Sequence, residues 1–102
     1  MNDATLTSES LRVLLLACDH FMFALSTPRS AYGKQQAARG AELLDWLIDV
    51  LLRSSRLVAA QKSLSFFKHA PSKATLAELA RECDRLYVWC KGYEAAQRRF
   101  AP

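Results

Sequence analysis

The sequence predicts an all-α fold: a compact antiparallel bundle of four helices, or of three if the second and third are fused. Three observations carry this. Apolar residues recur at spacings of three and four along four segments, with no sustained alternation of period two. Only three Gly and three Pro occur, too few for the turn chemistry of a β-rich chain. The 102 residues, 51% hydrophobic and 24% charged, suffice for one domain with a single core and exclude a disordered chain.

The first helix is expected over residues 8–26, after a polar lead-in at 1–7. Thr7 is placed to cap it, and Glu9 to lie against its positive end. Leu11, Leu14, Cys18, Phe21 and Leu25 form one apolar stripe; Val13, Leu16 and Phe23 lie on a second. Arg12, Asp19, His20 and Ser26 supply the only polar margin. A surface helix needs an apolar face only about 100° wide. This helix is therefore expected to be covered from several sides, by its neighbours or by a partner subunit. Pro28 disfavours helical geometry at Thr27, and residues 27–33 read as a connector closed by Gly33.

The second helix is expected over 34–53. Leu43, Leu44, Trp46, Leu47, Ile48, Val50, Leu51 and Leu52 make it strongly apolar, with Glu42, Asp45, Asp49, Arg53 and Arg56 as its polar stripe. Asp49 and Arg53 have the orientation that favours an i,i+4 ion pair. The Ser54–Ser55 pair is where a break is placed, with Ser55 capping a third helix over 56–69. Leu57, Ala60, Leu64 and Phe67 form its inner face, and Pro71 ends the segment. The fourth helix is expected over 75–99. Thr75 and Glu78 have capping-box spacing, ahead of a seam through Leu76, Leu79, Cys83, Leu86, Cys90, Tyr93 and Phe100. Trp89 and Val88 lie off that seam, as they would on a second contact surface.

Charge is uneven along the chain. Residues 1–49 carry six acids and four bases, whereas residues 50–77 carry Arg53, Arg56, Lys62, Lys68 and Lys73 and no acid. Such a segment suits an acidic protein, a phosphate backbone or a membrane surface, although solvated outer helical positions explain it more simply. The apolar run at 11–25 is too short to cross a bilayer. Asp3 and Glu9, without any Lys or Arg before it, are the wrong charges for a secretory leader. Three cysteines fit reduced thiols in a cytoplasmic protein.

No constellation asks for catalysis. Cys83 and Cys90 lie seven apart on one helical face, with Cα atoms about 10 Å apart, too far for a disulfide. With no Cys-x-x-Cys pair there is no zinc site of the usual spacing. Cys18, Cys83 and Cys90 are read as small core residues. His20 and His69 have no nucleophile turn beside them, and Gly33 and Gly40 stand outside any phosphate loop. No enzyme, cofactor or metal is expected.

Residues 75–83, Thr-Leu-Ala-Glu-Leu-Ala-Arg-Glu-Cys, resemble the first helix of a bacterial helix-turn-helix, which implies a small DNA-binding regulator using the basic 53–73 segment. That motif next requires a turn. Asp84 and Arg85 stand there instead, followed by Tyr87, Val88 and Trp89, poor readers of base edges. One continuous helix is the simpler expectation. The function expected first is therefore a non-catalytic protein-binding module: an adaptor, a chaperone-like binder or an occluding inhibitor. Trp46, Trp89, Val88 and Tyr87 are its candidate anchors, its partner is a protein, and a homodimer is expected from the apolar excess.

Overall fold

Serine and glycine chemistry between residues 27 and 33 decides how the first two helices meet. The structure, a computed structural model, describes residues 8–67 and 71–100, with four helices among them: α1 (Ser8–Ser26), α2 (Ala31–Val50), α3 (Ser55–Ser65) and α4 (Lys73–Phe100). No strand occurs among the described residues. Helix α1 has the expected bounds. Helix α2 starts three residues before the expected position, because Ser30 takes the N-cap and its Oγ accepts the Gly33 N–H at 2.9 Å. Gly33 thus lies inside the first turn of α2 rather than closing the connector. A Cβ there would run into the Thr27 carbonyl, so the turn needs a residue without one.

The principal contacts join α1 to α2, α2 to α3, α3 to α4 and α4 back to α1, a four-cornered antiparallel ring. On the α1–α2 side, Phe21 is fully buried beside Gly40, where an added Cβ would meet the ring at 2.7 Å. One turn away, His20 Nδ1 donates to Gln36 Oε1 at 2.6 Å. On the α1–α4 side, Cys18 Sγ donates to the Ala80 carbonyl at 3.4 Å.

Helices two and three are separate, and the break falls before the serines. Helix α2 ends at Val50, and the N–H groups of Leu51 and Leu52 both reach the Leu47 carbonyl, at 2.8 and 2.6 Å. Packing gives the reason. The lower core draws Leu57, Ala60 and Leu64 from α3, whereas the upper core of Leu11, Leu14, Leu47 and Cys90 draws nothing from it. Leu51 and Leu52 turn inward instead and fill the corner that α3 leaves open. The expected Asp49–Arg53 ion pair does not form, because Arg53 lies past the helix end and its guanidinium donates to the Asp49 main-chain carbonyl.

Ser54, and not Ser55, holds the N-cap position of α3, without a side-chain capping bond. Helix α3 stops at Ser65 rather than at His69, which with Lys68 lies outside the described residues, as does Thr7. Helix α4 begins two residues before the expected start. Ser72 Oγ accepts the Thr75 N–H at 3.1 Å and its carbonyl accepts from Leu76 at 3.1 Å, so Ser72 is the cap in place of Thr75. Arg56 of α3 reaches Glu82 of α4 at 3.2 Å, and Glu82 also lies 3.5 Å from Arg85.

The three glycines make opposite predictions. Gly92 is exposed with nothing within 4 Å of an added Cβ, so Gly92→Ala should raise stability by about 0.5–1 kcal/mol through helix propensity. Gly40→Ala should lower it by about 1 kcal/mol or more, because overpacking against Phe21 outweighs that gain. Gly33→Ala should cost more still, since backbone yields less than a ring. Urea midpoints of the three variants check this order.

Candidate interaction surface

Helix α1 buries one side in the ring and turns the opposite side outward. Leu11, Leu14, Ala17, Phe21 and Ala24 are buried, while Leu15, Leu16, Met22 and Phe23 are exposed. Phe23 keeps 55% of its surface accessible. The exposed residues form two strips, Leu15 with Met22 and Leu16 with Phe23, and between them runs a polar line, Arg12, Asp19 and Ser26, at seven-residue steps along the outermost edge. An exposed apolar surface of this extent, crossed by one line of polar residues, marks a candidate interaction site.

This face continues into a groove of about 780 Å³ between α1 and α4. Cys18, Leu25, Ala77 and Ala80 lie along it, with Met22 and Val88 on opposite lips. Val88 is 63% exposed. Arg81, Asp84 and Arg85 of α4 supply its charged border. The trough exists because α4 presents alanines, at positions 77 and 80, next to α1. Larger side chains would close it.

The thiols are held in their protonated forms. Burial pushes Cys18 up first, and the charges of Asp84 and Asp19 add to it. Burial, then Cys18, then Glu82 push Cys83 up to about 12, and burial alone raises Cys90. A thiol is nucleophilic only as thiolate, so none of the three is activated. His20 is engaged by Gln36. No cluster of three or more His, Cys, Asp or Glu side chains able to hold a metal occurs among the described residues.

The four anchors named from the sequence do not share one face. Val88 stands on the α1–α4 groove. Tyr87 is half-buried against the upper core. Trp89 is 58% exposed and stacks on Tyr93, ring centroids 5.7 Å apart. Trp89 lies seven residues after Glu82, on the stripe of α4 that meets α3 through Arg56, beyond the start of α3. Trp46 is exposed on the outer side of α2. The residues that sequence reasoning missed are Leu15, Met22, Ala77, Ala80 and Arg81. The small residues at 77 and 80 were the one available signal.

The basic segment is similarly dispersed. Arg56 is engaged with Glu82 and Arg53 with the end of α2, while Lys62 and Lys73 are exposed on different helices. Lys68 lies outside the described residues. Helix α4 runs unbroken through Asp84 and Arg85, so the turn of a helix-turn-helix is not formed there. No helix among the described residues is long and apolar enough to cross a membrane. In comparison with known proteins, the chain matches no family model, no curated protein and no solved structure.

The thiol environments predict an alkaline instability. Because the folded state holds the Cys83 proton up to about 12 against a reference of 9.0, the folded chain binds more protons than the unfolded one between those values. Stability is then full below pH 9 and falls as pH rises through that window. Urea unfolding at pH 8 and pH 10.5 should show the loss, and Cys83→Ala should lessen the slope. With a thiol-reactive probe at pH 8, Cys83 should stay unmodified until the chain is unfolded.

Proposed function

We propose that this chain is a non-catalytic protein-binding module that seats an apolar, amphipathic segment of its partner along α1 and the α1–α4 groove. The observation that carries this reading is the continuity of the groove with the exposed Leu15, Leu16, Met22 and Phe23. A helix laid into an apolar trough with a charged border is a recurrent mode of recognition, anchored by side chains three and four residues apart. Adaptor, chaperone-like binder and occluding inhibitor all use such a surface. Self-association through the same surface belongs to this reading, as does a reducing, cytoplasmic setting for three free thiols. Trp89 and Trp46 are further anchors on separate faces.

The test compares a Met22→Asp/Val88→Asp variant with one reversing Arg53, Lys62, Lys68 and Lys73. Arg56 is left intact because it holds Glu82. Both are first checked for native helicity by circular dichroism. Each is used as bait in native lysate, with and without nuclease, and captured proteins are identified by mass spectrometry. The groove variant should lose the bound protein, with affinity lower by about 2 kcal/mol or more, while the charge-reversed variant keeps it. Trp89→Ala, run in parallel, measures what that separate face adds. Duplex DNA binding that falls steeply with salt, is abolished by charge reversal and ignores the groove variant would overturn the reading.

A further inference from the structure

We propose that a second copy of this chain covers the outer face of α1 in a two-fold dimer, the two α1 helices antiparallel, with Arg12 of each copy against Asp19 of the other. This rests on the reading above that the face is an interaction surface, and it names the occupant. The argument begins with the order of residues on the exposed side. Arg12, Leu15, Leu16 and Asp19 form a self-complementary set: an apolar pair centred between opposite charges, each charge three residues from the nearer leucine. Antiparallel pairing about the point between Leu15 and Leu16 sets each leucine of one copy level with the other leucine of the second. It also brings both charges onto opposite charges at once. A two-fold contact makes every such pair twice.

The alternatives fail on charge. Parallel pairing sets Arg12 against Arg12 and Asp19 against Asp19. An antiparallel register centred on Asp19 gathers more apolar surface, matching Leu15 with Phe23 and Leu16 with Met22, yet it places Asp19 on Asp19. Like charges opposed across an interface are disfavoured, and of these three arrangements only the register centred on the leucines sets Arg12 against Asp19.

Within the chain, Arg12 and Asp19 make none of the ion pairs found among the described residues, so both charges are left for a second copy. Met22 and Val88, on the lips of the groove, border the outer face of α1.

Sedimentation equilibrium at tens of micromolar tests the pairing. The native chain should sediment at twice 11.5 kDa. Arg12→Asp alone and Asp19→Arg alone, each with native helicity by circular dichroism, should dissociate with constants raised at least about tenfold. An equimolar mixture of the two should recover the dimer. In it, the two introduced charges oppose each other and the native Arg12 of one variant meets the native Asp19 of the other. Where either reversal unfolds the chain, Arg12→Gln and Asp19→Asn replace them and should each weaken the dimer. A native monomer, single variants that remain fully dimeric, or a mixture that fails to recover would overturn the dimer. The interaction reading is tested apart from it: a monomeric native chain whose captured protein is lost in Met22→Asp/Val88→Asp refutes the dimer alone.

Discussion

The fold depends on the place where the Phe21 ring meets the bare backbone of Gly40. A ring that is fully buried on a central helix must have a matching hollow, and a glycine in α2 provides it by omission. Together with Gly33 under Thr27, it lets α1 and α2 approach closely along a helical hairpin. Burying an aromatic side chain of this size is worth roughly 2–3 kcal/mol, more than the roughly 1 kcal/mol that a helical glycine costs. The hairpin then fixes which side of α1 is inside. Everything on the other side, including four large apolar residues, is left to solvent or to a partner.

The short third helix follows from the same arrangement. With α1, α2 and α4 all longer than α3, one corner of the ring has a gap at its upper end. Leu51 and Leu52 fill it from the linker, so the break in the helix is a packing solution rather than a consequence of poor helix formers. This explains why local reasoning placed the break late. Ser54 and Ser55 are weak helix residues, but neither forbids a helix. The decisive fact is tertiary, since two leucines were needed elsewhere. The start of α4 is set locally, where Ser72 and Thr75 each offer a cap and the chain uses the earlier.

Much of the architecture was legible because helical periodicity survives in a single sequence. Four segments, the bounds of α1, and Cys83 and Cys90 as core residues all follow from spacings of three and four. The surface was less legible for a definite reason. Periodicity tells which residues share a face, but not which of two apolar stripes the neighbours will cover. Val13, Leu16 and Phe23 read as a second stripe to be covered by neighbours or by a partner subunit; within the chain only Val13 packs against the core, and Leu16 and Phe23 are exposed. The groove depends on alanines of α4 lying opposite methionine and leucine of α1, a relation between distant segments that no local pattern records. Lone tryptophans drew attention by size, and the structure scatters them.

The polar line along α1 bears on what can bind there. Arg12 and Asp19 sit on the outermost edge, between Leu15 and Met22 on one side and Leu16 and Phe23 on the other. Any partner that covers both apolar strips must also cover those charges. A uniformly apolar helix would strip water from Arg12 and Asp19 without replacing it, and a desolvated charge left unpaired costs several kcal/mol, roughly. That loss offsets what the flanking residues gain, at roughly 25 cal/mol per Å² of apolar area buried. On the reading proposed above, the surface would discriminate by penalty, in the way specific interfaces commonly reject wrong partners. A partner that fits it would combine apolar anchors with an acidic and a basic group about 10 Å apart along a helix. Two turns of helix separate Arg12 from Asp19, so the spacing demanded of the partner is the spacing that this chain itself presents.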